Sequence, residues 1–144
     1  MSGQNFVEVS AVTHPDRRLN QPDDTVTVLG RLDGDCQAVA RATREVAQAE
    51  NNLIIEGSEA TLVTSGLRFA TEHIVRVRDA TNTTEERLLA SPAYELEVLA
   101  FEGELRGQRS PLPDGQESVQ TVAVTQAILQ SIEERRMVSV PAMP

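Results

Sequence analysis

Thr25-Val26-Thr27-Val28-Leu29-Gly30-Arg31-Leu32, then Asp33-Gly34, then Cys36 to Arg44 is the stretch whose reading decides the fold. Its first arm is rich in valine and threonine, residues that pack well on a pleated surface. Asp33-Gly34 tolerates positive φ and marks a tight two-residue turn. The returning arm places Ala38, Ala40 and Ala42 on one face. These features predict an antiparallel hairpin. Working outward, residues 5–13 carry Phe6, Val7, Val9, Ala11 and Val12 among polar neighbours and predict another strand. His14-Pro15-Asp16 breaks it, a polar loop runs to Pro22, and Asp23 and Asp24 open the hairpin. Downstream, Glu45–Glu50 reads as a loop or a helical turn. Further strands are expected at Leu53-Ile54-Ile55, Thr61–Thr64, Leu67–Ala70 and Ile74–Arg78, and residues 79–91 read as a polar, threonine-rich connector.

The pattern changes after Pro92. Tyr94, Val98, Phe101 and Leu105 recur at helical spacing, with Ser91 and Pro92 as cap and first-turn proline and Gly107 as the stop. Arg109 to Gly115 is a proline-bounded loop. A second helix is expected from about Glu117 to Arg136 with Thr121, Val124, Ile128 and Ile132 in register, followed by a short strand over Met137–Val140. Strands first and helices later predict a single α+β domain over residues 1–144. Its sheet would be open and mainly antiparallel (mixed), with helices packed on one face and the other face available for oligomerisation.

Composition narrows the function. The 144 residues include 40% hydrophobic side chains, enough for a packed core, but only Phe6, Phe69, Phe101 and Tyr94 are aromatic. A net charge of −9 opposes nucleic acid and anionic membrane surfaces as partners. The acidity fits a salt-adapted source. All 13 basic residues are arginine and none is lysine, a bias that also fits a GC-rich genome. Cys36 is alone, which excludes an internal disulfide, and its flanks read as the start of a strand with the thiol buried. No apolar run reaches membrane-spanning length, so a cytoplasmic protein is expected.

Several stretches together resemble the glucose–fructose oxidoreductase, inositol dehydrogenase and MocA family. These are Tyr-Glu-Leu-Glu-Val-Leu-Ala-Phe (94–101), Gly107, Pro113-Asp114-Gly115, Val124-Thr125-Gln126-Ala127-Ile128 with Ser131, and Arg136-Met137-Val138. Upstream, Ile55-Glu56-Gly57-Ser58-Glu59-Ala60-Thr61-Leu62 is similar to the family's I-x-G-x-x-G-x-L turn, with Ala60 in place of the second glycine. The aspartate-led strand pair at Asp23-Asp24 also matches. The resemblance spans about residues 3–140 and implies the C-terminal α/β domain, which holds substrate and makes oligomer contacts. In the family, NAD or NADP sits in a preceding Rossmann domain. The glycine-rich fingerprint, the Glu-Lys-Pro motif and the Asp-x-x-x-His pair have no counterpart in these residues, and arginine cannot replace a catalytic lysine because its guanidinium stays protonated.

The resemblance therefore implies a substrate-side and oligomerisation domain of an NAD(P)-dependent sugar or polyol oxidoreductase-like protein. It would not be catalytic alone and would bind no cofactor by itself. A Rossmann-domain partner, or a Rossmann domain missing from these residues, would supply the nucleotide. The alternatives are a non-enzymatic dimerisation or regulatory module, and a fragment of a full-length dehydrogenase whose reading begins just after the catalytic segment. A homodimer or higher oligomer through the sheet face is expected. Arg76 and Arg78 share a strand face and can offer planar donors to hydroxyls or carboxylates, although a surface or dimer role is the plainer reading. Asp23 and Asp24 can act as acid and base or hold a cation, although starting a strand is plainer. His14 is expected at a strand end and His73 in a turn, and neither has zinc-site spacing. No catalytic residue and no metal ligand is assigned.

Overall fold

The structure is a computed structural model that describes residues 4–14, 24–34, 36–47, 51–66, 71–108 and 115–142. In chain order its elements are β1 (Phe6–His14), β2 (Thr25–Leu32), β3 (Gln37–Thr43), β4 (Leu53–Glu56), β5 (Ala60–Ser65), β6 (Glu72–Asp79), β7 (Thr83–Leu89), α1 (Ala93–Leu105), α2 (Gly115–Glu134) and β8 (Val138–Ser139). The α+β class and the antiparallel pairing agree with the sequence reading. The strands are divided between two four-stranded sheets, ordered β3-β2-β1-β8 and β4-β5-β6-β7. The chain forms two compact units, Met1–Ala47 with Ser110–Pro144, and Gln48–Arg109.

In the first unit the expected hairpin is present, with Val28 opposite Ala40 and Gly30 opposite Ala38. α2 lies on one face of this sheet. Val9, Ala11 and Val28 from the strands meet Ala127 and Ile132 from the helix, and Val138 and Val140 close the core. Phe6, Val26, Ala123, Val124 and Ile128 pack around them, so Val124, Ile128 and Ile132 serve as the helix periodicity predicts. A bulge between Phe6 and Glu8 shifts the register of β1 against β2. It turns Phe6 onto the core face, over Gly30, where a Cβ would overlap the phenyl ring.

The end of β8 shows how a short strand is completed. Its ladder with β1 stops at Val9 opposite Val138. The next hydrogen-bonded pair in that register would be Ala11 with Arg136, and the Ser131 hydroxyl stands between them. The Ala11 N–H donates to Ser131 Oγ at 3.0 Å, and Ser131 O–H donates to the Arg136 carbonyl at 2.6 Å. Ser131 is only 1% exposed. Arg135, with φ of 54°, takes the left-handed conformation that lets the chain leave α2 and enter β8.

The second unit is a meander of β4 to β7. One sheet face carries Leu53, Ile55, Leu62, Val75, Val77 and Leu88, and the other carries Arg76, Arg78, Glu85 and Arg87 with Ile54 and Val63. α1 forms where the sequence places it. Gly107 ends it at φ 76°, and the Gln108 N–H reaches the Gly103 carbonyl at 2.9 Å. Its cap differs from expectation: Pro92 occupies the N-cap, with no side-chain cap bond from Ser91. No residue of α1 is buried, and Tyr94 and Leu105 are 82% and 73% exposed.

Three further expectations are corrected. Residues 83–89, read as part of a connector, form β7, because Glu85 and Arg87 gain ion-pair partners across the strand that a hydropathy pattern does not register. Cys36 is exposed, since β3 begins only at Gln37 and the thiol stays in the turn. His73 lies within β6 rather than in a turn. The expected strand at Leu67–Ala70, the loop over Pro15–Pro22, Asp23, and most of the Arg109–Gly115 loop lie outside the described residues.

Candidate functional site

The polar face of the second sheet collects the arginines singled out in the sequence. Pairing of β6 with β7 sets Arg76 opposite Glu85 and Arg78 opposite Thr83. Pairing with β5 puts Thr61 on the other side of Arg78. Arg76 Nη2 donates to Glu85 Oε2 at 2.6 Å. Arg87, one row along, bridges Glu85 at 3.5 Å and Glu72 at 3.7 Å. Among the described residues no carboxylate pairs with Arg78, which is exposed and lies in register between Thr61 and Thr83. That row can donate several hydrogen bonds to a polyol or a carboxylate.

Electrostatics on this face follow from the pairing. The hydrogen bond from Arg76, then its charge, holds the Glu85 carboxyl below the ordinary glutamate range, with Arg87 adding a smaller effect. A lowered folded-state value means the pair stabilises the sheet above the ordinary glutamate range. That contribution is lost as pH falls through the folded value. In an Arg76→Gln variant the Glu85 titration midpoint should rise toward the ordinary value, as read by NMR of its carboxyl carbon. An unchanged midpoint would remove Arg76 as the cause. Glu8 is lowered in the same way by Arg31, at 3.0 Å, on the open face of the first sheet.

Asp24 belongs to the other unit and is not brought together with the arginines. Its carboxylate accepts from Arg44 Nε at 2.6 Å, and its backbone bonds His14 and Arg44, closing the end of the β1-β2-β3 sheet. That is the strand-starting role. His14 is exposed at the end of β1. His73 Nδ1 lies 2.6 Å from the Gly66 carbonyl, which makes Nδ1 the protonated nitrogen. No cluster of three His, Cys, Asp or Glu side chains suited to a metal occurs among the described residues.

Sequence reasoning passed over one concavity. An open groove of about 440 Å³ runs beside α2 and β8, lined by Ala123, Gln126, Ala127, Gln130, Glu133 and Ser139 among others. Its signal was the polar series Gln126, Gln130 and Glu133 flanking the apolar stripe of α2. The lining contains no arginine, and Gln130 is already tied to Glu134 at 2.7 Å. A dinucleotide pyrophosphate would find neither a cation nor a glycine-rich turn there, so these residues do not fit that group.

The architecture defines an α+β domain with arginine-bearing antiparallel strands and no nucleotide cradle among its described residues. The model of the C-terminal alpha/beta domain of an oxidoreductase family, named for glucose–fructose oxidoreductase, inositol dehydrogenase and MocA, matches residues 2–140, and the chain belongs to that family. Solved structures share the fold. Aldose-aldose oxidoreductase from Caulobacter crescentus, complexed with glycerol, is 18% identical with a TM-score of 0.79, over 95% of this chain and 42% of that one. An NAD-binding oxidoreductase from Klebsiella pneumoniae is 24% identical with a TM-score of 0.73, over 96% and 46%. The WlbA dehydrogenase from Bordetella pertussis, in complex with NADH and UDP-GlcNAcA, is 21% identical with a TM-score of 0.68, over 96% and 40%. This chain thus spans less than half the length of each. No curated protein matches the sequence.

Proposed function

We propose that this chain is the substrate-side and oligomerisation domain of an NAD(P)-dependent sugar or polyol oxidoreductase-like protein, and that these 144 residues do not transfer hydride by themselves. The observation that carries the reading is the family match over residues 2–140, confined to the C-terminal domain. The missing lysine and glycine fingerprint support the second half of it. NAD or NADP would be held by a Rossmann domain, in a longer chain or in a partner protein. Arg78, with Thr61 and Thr83 beside it, is the group we assign to substrate hydroxyls or a carboxylate, and Arg76 is oriented next to it by Glu85.

Oligomerisation fits the surface. Val12, Leu29 and Val39 are 67%, 46% and 74% exposed on the face of the first sheet opposite α2, an apolar patch of the kind that marks a contact between subunits. No helix of the described residues is long and apolar enough to cross a membrane. We place the protein in the cytoplasm, where an exposed lone thiol stays reduced.

The test has two arms. The purified chain is assayed for NAD- and NADP-dependent oxidation of a polyol and aldose panel, and calorimetry measures binding of the same panel to wild type and to Arg78→Ala. The expected result is no hydride transfer, with polyol binding that weakens about tenfold in the variant, the loss of one hydrogen bond to a charged donor. Turnover by the chain alone would overturn the proposal. Absence of all polyol binding would instead favour the non-enzymatic module, a reading that the Arg76–Glu85 pair already supports by satisfying one of the two arginines internally.

A further inference from the structure

The two sheets end in four edges, and three of them are protected against pairing with another chain. β8 is only two residues long, β3 carries Arg41, and β7 carries Glu85, Glu86 and Arg87 in its middle. β4 is different. Leu53, Ile54 and Ile55 are 48%, 60% and 53% exposed, alternate between both faces of the sheet, and include no charge or proline before Glu56. Among the described residues no strand lies along its outer side. An apolar edge with open backbone groups is a template for strand addition.

We propose that β4 pairs antiparallel with β4 of a second copy about a two-fold axis through Ile54, joining two four-stranded sheets into one of eight strands. The register follows from symmetry. A two-fold axis perpendicular to the sheet keeps each face on its own side, so residues directly opposite must come from the same face, and their numbers sum to an even value. Centring on Ile54 sets Leu53 opposite the second copy's Ile55 and Ile54 opposite its own copy. Every apolar residue of the strand then meets an apolar residue. Glu56 falls opposite Asn52 of the second copy, so no like charges meet. Centring on Leu53 would place Ile54 against Asn52, and centring on Ile55 would place Ile54 against Glu56. The Ile54 register alone pairs all three apolar side chains with each other. Each copy carries a net charge of −9, so salt that screens the repulsion should strengthen the contact.

Five paired residues on each copy make a contact of the small, transient class, below about 1,200 Å². Covalent trapping of the full chain is therefore the appropriate test. In a Cys36→Ser background, Ile54→Cys should form a disulfide-linked dimer under mild oxidation. Opposed residues in an antiparallel pair have Cα atoms roughly 4.5–5.5 Å apart, within disulfide range. Glu56→Cys, offset from its own copy by about 13 Å along the strand, should crosslink at least tenfold more slowly by itself. Mixed with Asn52→Cys it should crosslink readily. Val39→Cys reports the open face of the first sheet, the separate contact proposed above, and its rate is read independently of the Ile54→Cys to Glu56→Cys ratio. All these positions are exposed, and far-UV circular dichroism checks that each variant folds. Equal rates for Ile54→Cys and Glu56→Cys would overturn the register. Failure of Ile54→Cys to form the disulfide-linked dimer would overturn the edge contact, and trapping at Val39→Cys in the same experiment would leave the proposed sheet-face oligomer standing.

Discussion

Ile132→Ala is expected to lower the stability of the unit built from β1, β2, β3, β8 and α2 by about 2–5 kcal/mol. Ile132 is 9% exposed and belongs to a core that, among the described residues, has seven buried apolar side chains, none of them aromatic. With so few anchors, surrounding side chains have little spare volume with which to refill the space left by a removed sec-butyl group. Against a total of roughly 5–15 kcal/mol for a typical domain, the loss should move the urea midpoint well down. Phe101→Ala, a larger truncation at a side chain 61% exposed on α1, should shift stability by only about 0.5 kcal/mol or less. Equal effects from the two would mean that the exposed face of α1 is packed in solution.

Ser131→Ala is expected to cost about 1–3 kcal/mol, the penalty for leaving a buried backbone donor unpaired. The hydroxyl both accepts from the Ala11 N–H and donates to the Arg136 carbonyl, so its removal orphans both groups where water has little access. Hydrogen exchange offers a local readout: the Ala11 amide should exchange faster in the variant, even under conditions where global unfolding is negligible. Thr125→Ala is the matched control, since its hydroxyl merely back-bonds to the Thr121 carbonyl on the exposed side of α2. If Ser131→Ala and Thr125→Ala behave alike, the bridging role is wrong.

Much of the first unit was legible because its signals are local. Asp33-Gly34 encodes its turn within two residues, and the Val124, Ile128, Ile132 spacing encodes a helix face within two and a half turns. Ser131 stood out as part of a family pattern, but its purpose was not readable. It completes a ladder between Ala11 and Arg136, groups far apart in the chain, and no window of sequence contains both ends. β7 was missed for a related reason. Thr83–Leu89 shows no apolar alternation, and its strand character depends on Arg76 and Glu72 across the sheet. The stripe of Tyr94, Val98, Phe101 and Leu105 predicts the helix α1, which forms with no residue buried, because periodicity reports which residues share a face and not whether anything covers it.

The candidate site divides in the same way. The sequence alone put Arg76 and Arg78 on one strand face, since alternation is a property of any strand. It also excluded, within these residues, a lysine and a glycine-rich nucleotide turn, because composition and spacing suffice for that. Only the tertiary structure decided that Arg76 is neutralised by Glu85 while Arg78 is open between Thr61 and Thr83, and that Asp24 spends its charge on Arg44. Those outcomes depend on cross-strand register. Register is set by turns, bulges and the packing of a whole sheet, where a shift of one residue would exchange every partner.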